Sequence, residues 1–220
     1  VRTPREGLAE VFYSIANILS ADAEPDYTLF YTRIAEYLLP DHLDAVLFSA
    51  SLLEQLEQFE LASQNYTKIP TSAPSFHNED LGRADTLQRS GNFDAALEGL
   101  EKLARTHTNL PIVHSTLGDT LRREQLFASA VEAYDRAVSL YGGVGRSPWF
   151  ILYARGLSHE RLGHWPESEA DLRAALKLNP EQPQVMNYLG YSLVEKQANL
   201  QEALGLIKRA VALQPQSGYI

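Results

Sequence analysis

A short segment holds two histidines and a glutamate, the residue types that bind and assist a catalytic zinc ion: it reads HERLGH, from His159 to His164. A zinc-protease helix places its two histidines four residues apart, on one helical face, with the glutamate beside the metal. Here the histidines are five residues apart, so at roughly 100° per residue they diverge by about 140° around a helix. The spacing therefore predicts no metal site.

Other groups that could carry catalysis lack the context that their chemistry needs. The segments GLSHE and GYSLV lack the second glycine of a serine nucleophile turn, and neither follows a predicted strand. The glycine-rich segment GGVGR follows a predicted helix and precedes a proline, unlike a phosphate-binding loop. The scattered Asp and Glu residues are interpreted as solvated helix faces. We therefore predict no catalytic residue, no cofactor and no enzyme activity.

Composition and charge narrow the class of partner. The 220 residues have a net charge of −9 and a sequence pI near 5.1. An acidic chain is poorly suited to neutralise nucleic-acid phosphates or to adsorb to an anionic membrane. No apolar run approaches the roughly eighteen residues of a membrane-spanning helix, and cysteine is absent. We expect a protein or peptide partner, no nucleic acid and no direct membrane insertion, and leave both the cytoplasm and the periplasm or cell envelope open.

Two rows of small side chains indicate the elements that position the polar residues. The first row recurs every 34 residues, apart from one step of 38, and comprises Ala16, Ala50, Ala84, Gly118, Gly156 and Gly190. The second row follows it at a nearly constant offset and comprises Thr28, Ala62, Ala96, Ala130, Ser168 and Ala203. Small residues within two successive amphipathic patterns predict a pair of helices whose backbones approach closely, repeated along the chain. The predicted repeats lie near 9–42, 43–76, 77–110, 111–148, 149–182 and 183–217.

These patterns resemble the tetratricopeptide repeat family. The segments that match its consensus are NYLGYSL, STLGDTL, GNFDAALEGLEKLA, ASAVEAYDRAVSL and ADLRAALKLNP, and the resemblance covers residues 9–217. It implies an all-α fold, an α-α superhelix or solenoid of about six stacked helix-turn-helix repeats with a concave groove. The last segment of the chain is similar to long bacterial members of the family. Gly91 and Gly163 are predicted at turns between helices, where a positive φ is needed.

Two places depart from the regular spacing. The segment GGVGRSP, residues 142–148, supplies the four extra residues of the long step, either as a longer loop or as a point where the array changes pitch or flexes. Residues 218–220 are predicted to begin a seventh repeat that is cut short. The C-terminal face that this truncation exposes is a candidate homodimer contact.

The resemblance also implies which side chains point into the groove. The candidate partner-binding residues are Tyr13, Asn17, Asp85, Arg89, Asp119, Arg122, Arg123, Phe150, Tyr153, Leu157, Arg161, Asn187 and Tyr191. The family's clamp for chaperone tails is not expected, since Asn17 matches it but Tyr13 stands where the clamp has lysine.

Two groups stand out among these candidates. Four arginines at like positions could bind the carboxylates of a peptide through forked hydrogen bonds, or could pair with the acidic residues beside them. The aromatic group of the last two repeats, which comprises Phe150, Tyr153, Leu157 and Tyr191, could anchor a partner, or could pack between repeats or against a seventh one.

The leading hypothesis is a non-catalytic interaction scaffold that binds an extended peptide or a partner helix in the groove. One alternative is the recognition arm of a larger enzyme of the transferase type. Another is a self-associating assembly module of the cell envelope.

Overall fold

A computed structural model describes residues 3–70 and 76–218, and within these residues the fold is all-α. Twelve α-helices occur in the described part of the chain, and they are α1 Pro4–Leu19, α2 Pro25–Leu38, α3 Leu43–Gln55, α4 Phe59–Tyr66, α5 Phe76–Arg89, α6 Phe93–Thr106, α7 Pro111–Arg123, α8 Phe127–Leu140, α9 Trp149–Arg161, α10 Trp165–Leu178, α11 Pro183–Glu195 and α12 Leu200–Leu213. The predicted fold class, built from helix hairpins, is confirmed. The predicted start of a seventh repeat lies largely outside the described residues.

The helices divide into two compact units, the first ending at His107 and the second beginning at Thr108. The N-terminal unit contains α1 to α6 and the C-terminal unit contains α7 to α12. In each unit, successive helices pair as antiparallel hairpins: α1 with α2, α3 with α4 and α5 with α6, then α7 with α8, α9 with α10 and α11 with α12. We call the members of each pair its first and second helix.

The helices begin where local chemistry favours a helix start. At α1, the hydroxyl of Thr3 accepts a hydrogen bond from the amide of Glu6, and the Glu6 carboxylate accepts one from the amide of Thr3. This reciprocal cap satisfies two amides that a helix start leaves unpaired. Proline opens α1, α2, α7 and α11, at the position where its missing N–H costs nothing.

Both rows of small residues are buried within the hairpins, as the spacing predicted. A β-carbon added at Gly118 would lie 2.7 Å from the Tyr134 ring. One added at Gly190 would lie 2.7 Å from Cγ1 of Ile207 and 3.2 Å from the carbonyl oxygen of Ala203. Since real β-carbons do not approach other atoms this closely, glycine permits the observed separation of α11 and α12.

In the five described hairpins from α3–α4 to α11–α12, the second residue after the first helix lies in the left-handed region. Gly91 and Gly163 have φ values of +82° and +78°, which confirms their predicted place at turns. The equivalent position of three other hairpins is filled by Glu57, Gln125 and Gln197, also at positive φ. An L-residue is strained in this conformation, whereas glycine is not. The turn geometry is therefore retained even where the residue type does not favour it.

The segment between α8 and α9, which contains the four extra residues, folds as a compact turn. Gly142 and Gly143 have φ values of +87° and +105°, and residues Val144–Arg146 form a short 3₁₀ helix. The hydroxyl of the buried Ser147 donates to the carbonyl oxygen of Gly143 at 3.0 Å. The four extra residues thus leave α8 and α9 in contact.

Buried ionic groups add polar contacts between hairpins. In the C-terminal unit, Arg155 donates two hydrogen bonds to Asp171 at 2.6 and 2.7 Å and one to Asp135 at 2.6 Å. These bonds join α9 to the preceding and following helices. In the N-terminal unit, the buried carboxylate of Glu36 accepts from Lys68 at 2.6 Å and from Asn65 at 3.3 Å, which joins α2 to the α4 region.

Replacing Gly190 with alanine should lower the free energy of unfolding by about 1–3 kcal/mol, because the added methyl group overpacks the α11–α12 contact. Gly205→Ala, on α12 of the same hairpin, is the matched control: nothing lies within 4 Å of the added carbon. Helix propensity should make that variant more stable by up to about 1 kcal/mol. Urea unfolding followed by circular dichroism measures both. Equal stability of Gly190→Ala and the wild type would contradict the close approach.

The turn residues should respond in opposite directions to substitution. Gly163→Ala should destabilise the protein by about 1 kcal/mol, because alanine is strained at positive φ. Gln197→Gly should stabilise it by several tenths of a kcal/mol, since the same strain is removed there and offset in part by the flexibility of glycine in the unfolded chain. Thermal melting of the two variants checks the signs. Two shifts in the same direction would show that φ does not control stability at this position.

Candidate functional site

The predicted partner-binding residues all lie on first helices, and they divide between the two units. Tyr13 and Asn17 lie on α1, and Asp85 and Arg89 lie on α5, in the N-terminal unit. The C-terminal unit holds the other nine, which are Asp119, Arg122 and Arg123 on α7, Phe150, Tyr153, Leu157 and Arg161 on α9, and Asn187 and Tyr191 on α11. The predicted group of four arginines is therefore split, with Arg89 in one unit and three in the other.

In the N-terminal unit the candidates contact their own neighbours. The half-buried Tyr13 ring lies 4.8 Å from the His42 ring and meets Phe48 edge-on at 6.4 Å. The amide of the exposed Asn17 donates to the backbone carbonyl of Tyr13 at 3.2 Å. The Arg89 guanidinium lies 4.2 Å from the centre of the Phe59 ring, a cation–π contact that the sequence did not predict.

In the C-terminal unit, three of the predicted arginines line one open pocket of about 400 Å³. Its lining residues are Arg122 and Arg123 at the end of α7, Gln125 and Phe127 at the turn into α8, Leu157 and Arg161 on α9, and Tyr188 on α11. Helix geometry explains the grouping: Arg122 and Arg161 both lie in the last turn of a first helix. We call this site the arginine pocket.

Two carboxylates lie beside the arginines at long range. The distance from Arg122 Nη2 to Asp119 Oδ1 is 3.8 Å, and that from Arg161 Nε to Glu160 Oε2 is also 3.8 Å. Both distances exceed the reach of a strong hydrogen bond. The predicted alternative of pairing with neighbouring acids is observed in this loose form for Arg122 and Arg161. The arginine pocket thus brings three guanidinium groups together beside these two carboxylates.

Two tyrosines orient these carboxylates. The Tyr134 hydroxyl donates to Asp119 at 2.6 Å, and the Tyr188 hydroxyl donates to Glu160 at 3.1 Å. Burial, and then the nearby Asp119 charge, raises the pKa of Tyr134. Burial, and then the Glu160 charge, raises the pKa of Tyr188 to about 12. Both phenols therefore keep their protons and hold the carboxylates in place near neutral pH.

The aromatic candidates adjoin the arginine pocket. The Tyr153 ring meets the Tyr188 ring edge-on at 6.1 Å, so Tyr188 lines the pocket and also contacts the aromatic group. Trp149 lies 6.1 Å from Phe150 and 6.5 Å from Tyr153. Packing between hairpins, one predicted alternative, is observed for Tyr153. Phe150 and Tyr191 also leave about half of their surface exposed, at 49% and 53%.

Three pocket residues were missing from the sequence prediction: Gln125, Phe127 and Tyr188. A signal for Phe127 was present, because an aromatic residue opens four of the second helices, at Phe59, Phe93, Phe127 and Trp165. Two of these rings contact a cationic side chain from the next hairpin. Arg89 lies over the Phe59 ring, and Lys196 lies 6.0 Å from the centre of the Trp165 ring. Tyr188 stands one residue beyond the predicted Asn187, which is half-buried on α11.

The histidine segment gives no metal-ligand geometry. The rings of His159 and His164 lie 5.9 Å apart, and burial lowers the pKa of His159. Among the described residues, no group of three or more His, Asp or Glu side chains is placed to hold a metal ion. The helices of the described chain include none with the length and apolar character needed to cross a membrane.

Comparison with known proteins identifies relatives of the chain. The sequence profile of the family described as Tetratricopeptide repeat matches residues 81–144 and 153–218. The TPR repeat-containing protein PA4667 of Pseudomonas aeruginosa is 24% identical over 175 residues, a match that covers 79% of this chain and 29% of that protein. The chain thus spans less than a third of the length of this relative.

Two solved structures share the fold. The crystal structure of the APC/C hetero-tetramer Cut9–Hcn1 matches 99% of this chain and 42% of its own chain, with a TM-score of 0.69 and 15% identity. The structure of YrrB, described as a TPR protein with an unusual peptide-binding site, matches 86% of this chain and 94% of its own, with a TM-score of 0.64 and 18% identity. At these identities the likeness establishes the fold alone.

Proposed function

The chain belongs to the tetratricopeptide repeat family, whose fold supports a protein-interaction scaffold, and we propose that it binds an extended acidic peptide at the arginine pocket of its C-terminal unit. The observation that carries the proposal is the convergence of Arg122, Arg123 and Arg161 from two helices on one pocket. In a chain with a net charge of −9, such a concentration of positive charge favours a ligand of opposite charge.

The chemistry of the pocket suits a carboxylate. Each guanidinium carries five N–H donors in a planar fork that matches the two oxygens of a carboxylate. Arg122 has a 3.8 Å contact to Asp119 and donates to the Tyr134 hydroxyl at 3.4 Å, and Arg161 has a 3.8 Å contact to Glu160. A peptide carboxylate can therefore approach both arginines without displacing a short ion pair.

The walls of the pocket suit a peptide more than a free anion. Phe127, Leu157 and Tyr188 supply apolar surface beside the charges, and Tyr188 continues into the aromatic group through Tyr153. Aromatic and arginine side chains supply much of the binding energy at protein interfaces. The peptide-binding site named for YrrB is a property of that protein, and it supports peptide binding as a use of this fold.

Selection from a random peptide library tests the proposal. Wild-type protein should enrich peptides that contain Asp or Glu, and individual peptides should bind the double variant Arg122→Glu/Arg161→Glu at least tenfold more weakly. The loss follows from removing charge-assisted hydrogen bonds worth about 1.5–3 kcal/mol each. Fluorescence anisotropy at two salt concentrations measures the affinities, and binding to wild type should weaken as salt rises.

Lys208→Glu/Arg209→Glu is the matched control, because it changes the net charge equally on the exposed side of α12. This variant should bind the selected peptides within about twofold of wild type, since long-range effects between exposed charges are screened. Circular dichroism establishes that both variants are folded. Wild-type selections without acidic enrichment, or equal binding by the Arg122→Glu/Arg161→Glu variant, would refute an acidic ligand at this pocket.

A further inference from the structure

Helix α9 changes chemistry along one face, from aromatic at its start to basic at its end. Phe150, Tyr153, Leu157 and Arg161 lie three, four and four residues apart, a spacing that places them on one side of the helix. Helix α7 repeats the order, with the exposed Ile112 near its start and Arg122 and Arg123 in its last turn. A ligand lying along this face meets apolar surface at one end and positive charge at the other.

The separation of the two ends sets the length of the ligand motif. Phe150 and Arg161 are eleven residues apart, so their Cα atoms are separated by about 16 Å along the helix axis. Helical side chains lean toward the N-terminus, and the long arginine reaches back further than phenylalanine. From these general geometries, we estimate that the charged group and the aromatic contact are separated by roughly 13 Å.

An extended peptide spans that distance in four residues, at about 3.3 Å per residue. Side chains four residues apart also point to the same side of an extended chain, whereas those three or five apart point to opposite sides. The arginines that line the arginine pocket suit a carboxylate, whose two oxygens accept hydrogen bonds from a guanidinium fork. The half-exposed ring of Phe150 provides the contact for one large apolar side chain.

We infer that the C-terminal unit recognises an extended peptide in which a carboxylate and a large apolar side chain stand four residues apart. The inference rests on the proposed function and adds the spacing of the motif to it. Arg161, with Arg122 and Arg123, binds the carboxylate, and Phe150 contacts the apolar side chain. An extended ligand is favoured because Gln125, whose side-chain amide both donates and accepts, lines the pocket beside the arginines and suits exposed main-chain groups.

Labelled synthetic peptides test the spacing directly. Each contains one Glu and one Phe in a Gly/Ser background, at positions i and i+3, i+4, i+5 or i+8, with both orders of the two residues. Fluorescence anisotropy should give the i,i+4 peptide, in one order, an affinity about tenfold higher than the i,i+3 and i,i+5 peptides. Best binding by the i,i+8 peptide, whose two residues are about 12 Å apart in a helix at about 1.5 Å per residue, would mean a helical ligand and would overturn the inference.

Paired substitutions locate each contact. Phe150→Ser should remove the effect of replacing the peptide Phe by Ala, and Arg161→Gln should reduce the effect of replacing the peptide Glu by Gln, because groups in contact have non-additive effects. Leu204→Ser, which alters a comparably exposed apolar side chain on α12, should change nothing. Additive effects in both pairs would refute the assignment even if the spacing preference were observed.

The outcomes separate this inference from the proposed function. If acidic peptides bind and depend on the arginines but show no preferred spacing, the inference fails and the proposed function stands. If no peptide that contains Glu binds more tightly than its Gln counterpart, the acidic ligand itself is refuted, and the inference falls with it.

Discussion

The close approach of two helix backbones within each hairpin is the constraint on which the remaining structure depends. At Gly190 the space beside the backbone is taken up by Ile207 and by a carbonyl oxygen of α12, so that even a methyl group does not fit. At Gly118 the same space is filled by the ring of Tyr134. This contact fixes which side of the first helix faces its partner, and therefore which side remains for a ligand. The binding face is in this sense a consequence of packing.

The Tyr134 ring shows how packing and site are connected. The ring is fully buried against Gly118, while its hydroxyl reaches Asp119 and so holds a carboxylate beside Arg122. A larger residue in place of Gly118 would displace the ring and with it the charge that restrains the arginine. Tyr188 has a similar position in the site, since it lines the pocket, contacts Tyr153 and donates to Glu160. Each tyrosine thus connects the packing of its own helix to a carboxylate beside an arginine of the pocket.

The sequence predicted most of the fold because the hairpin contact leaves a periodic signal. Small residues such as Ala50 and Ala130 are buried as expected, and Gly91 and Gly163 adopt positive φ. The turn position was predicted only where glycine occupies it. Gln125 adopts a positive φ, like those glycines, although its residue type does not favour that conformation. Pocket residues were harder to predict, because Phe127 and Tyr188 come from helices whose relative placement a linear pattern does not contain. The contact of Arg89 with Phe59 likewise joins residues thirty positions apart.

Two arginines on one helix illustrate how the same residue type serves stability and binding. Arg155 has a side chain that is 12% exposed and a two-bond fork to Asp171 at 2.6 and 2.7 Å, with a third bond to Asp135. Releasing it would leave two carboxylates without their cation, one of them buried, a change that is strongly destabilising. Arg161, six residues later, is 65% exposed and has a carboxylate at 3.8 Å. Exchange of that weak contact for a ligand carboxylate costs little, because an exposed pair contributes at most about 1 kcal/mol. The two arginines therefore differ in role because the helix buries one guanidinium and exposes the other. The buried one holds the hairpins together, and the exposed one is suited to bind a partner.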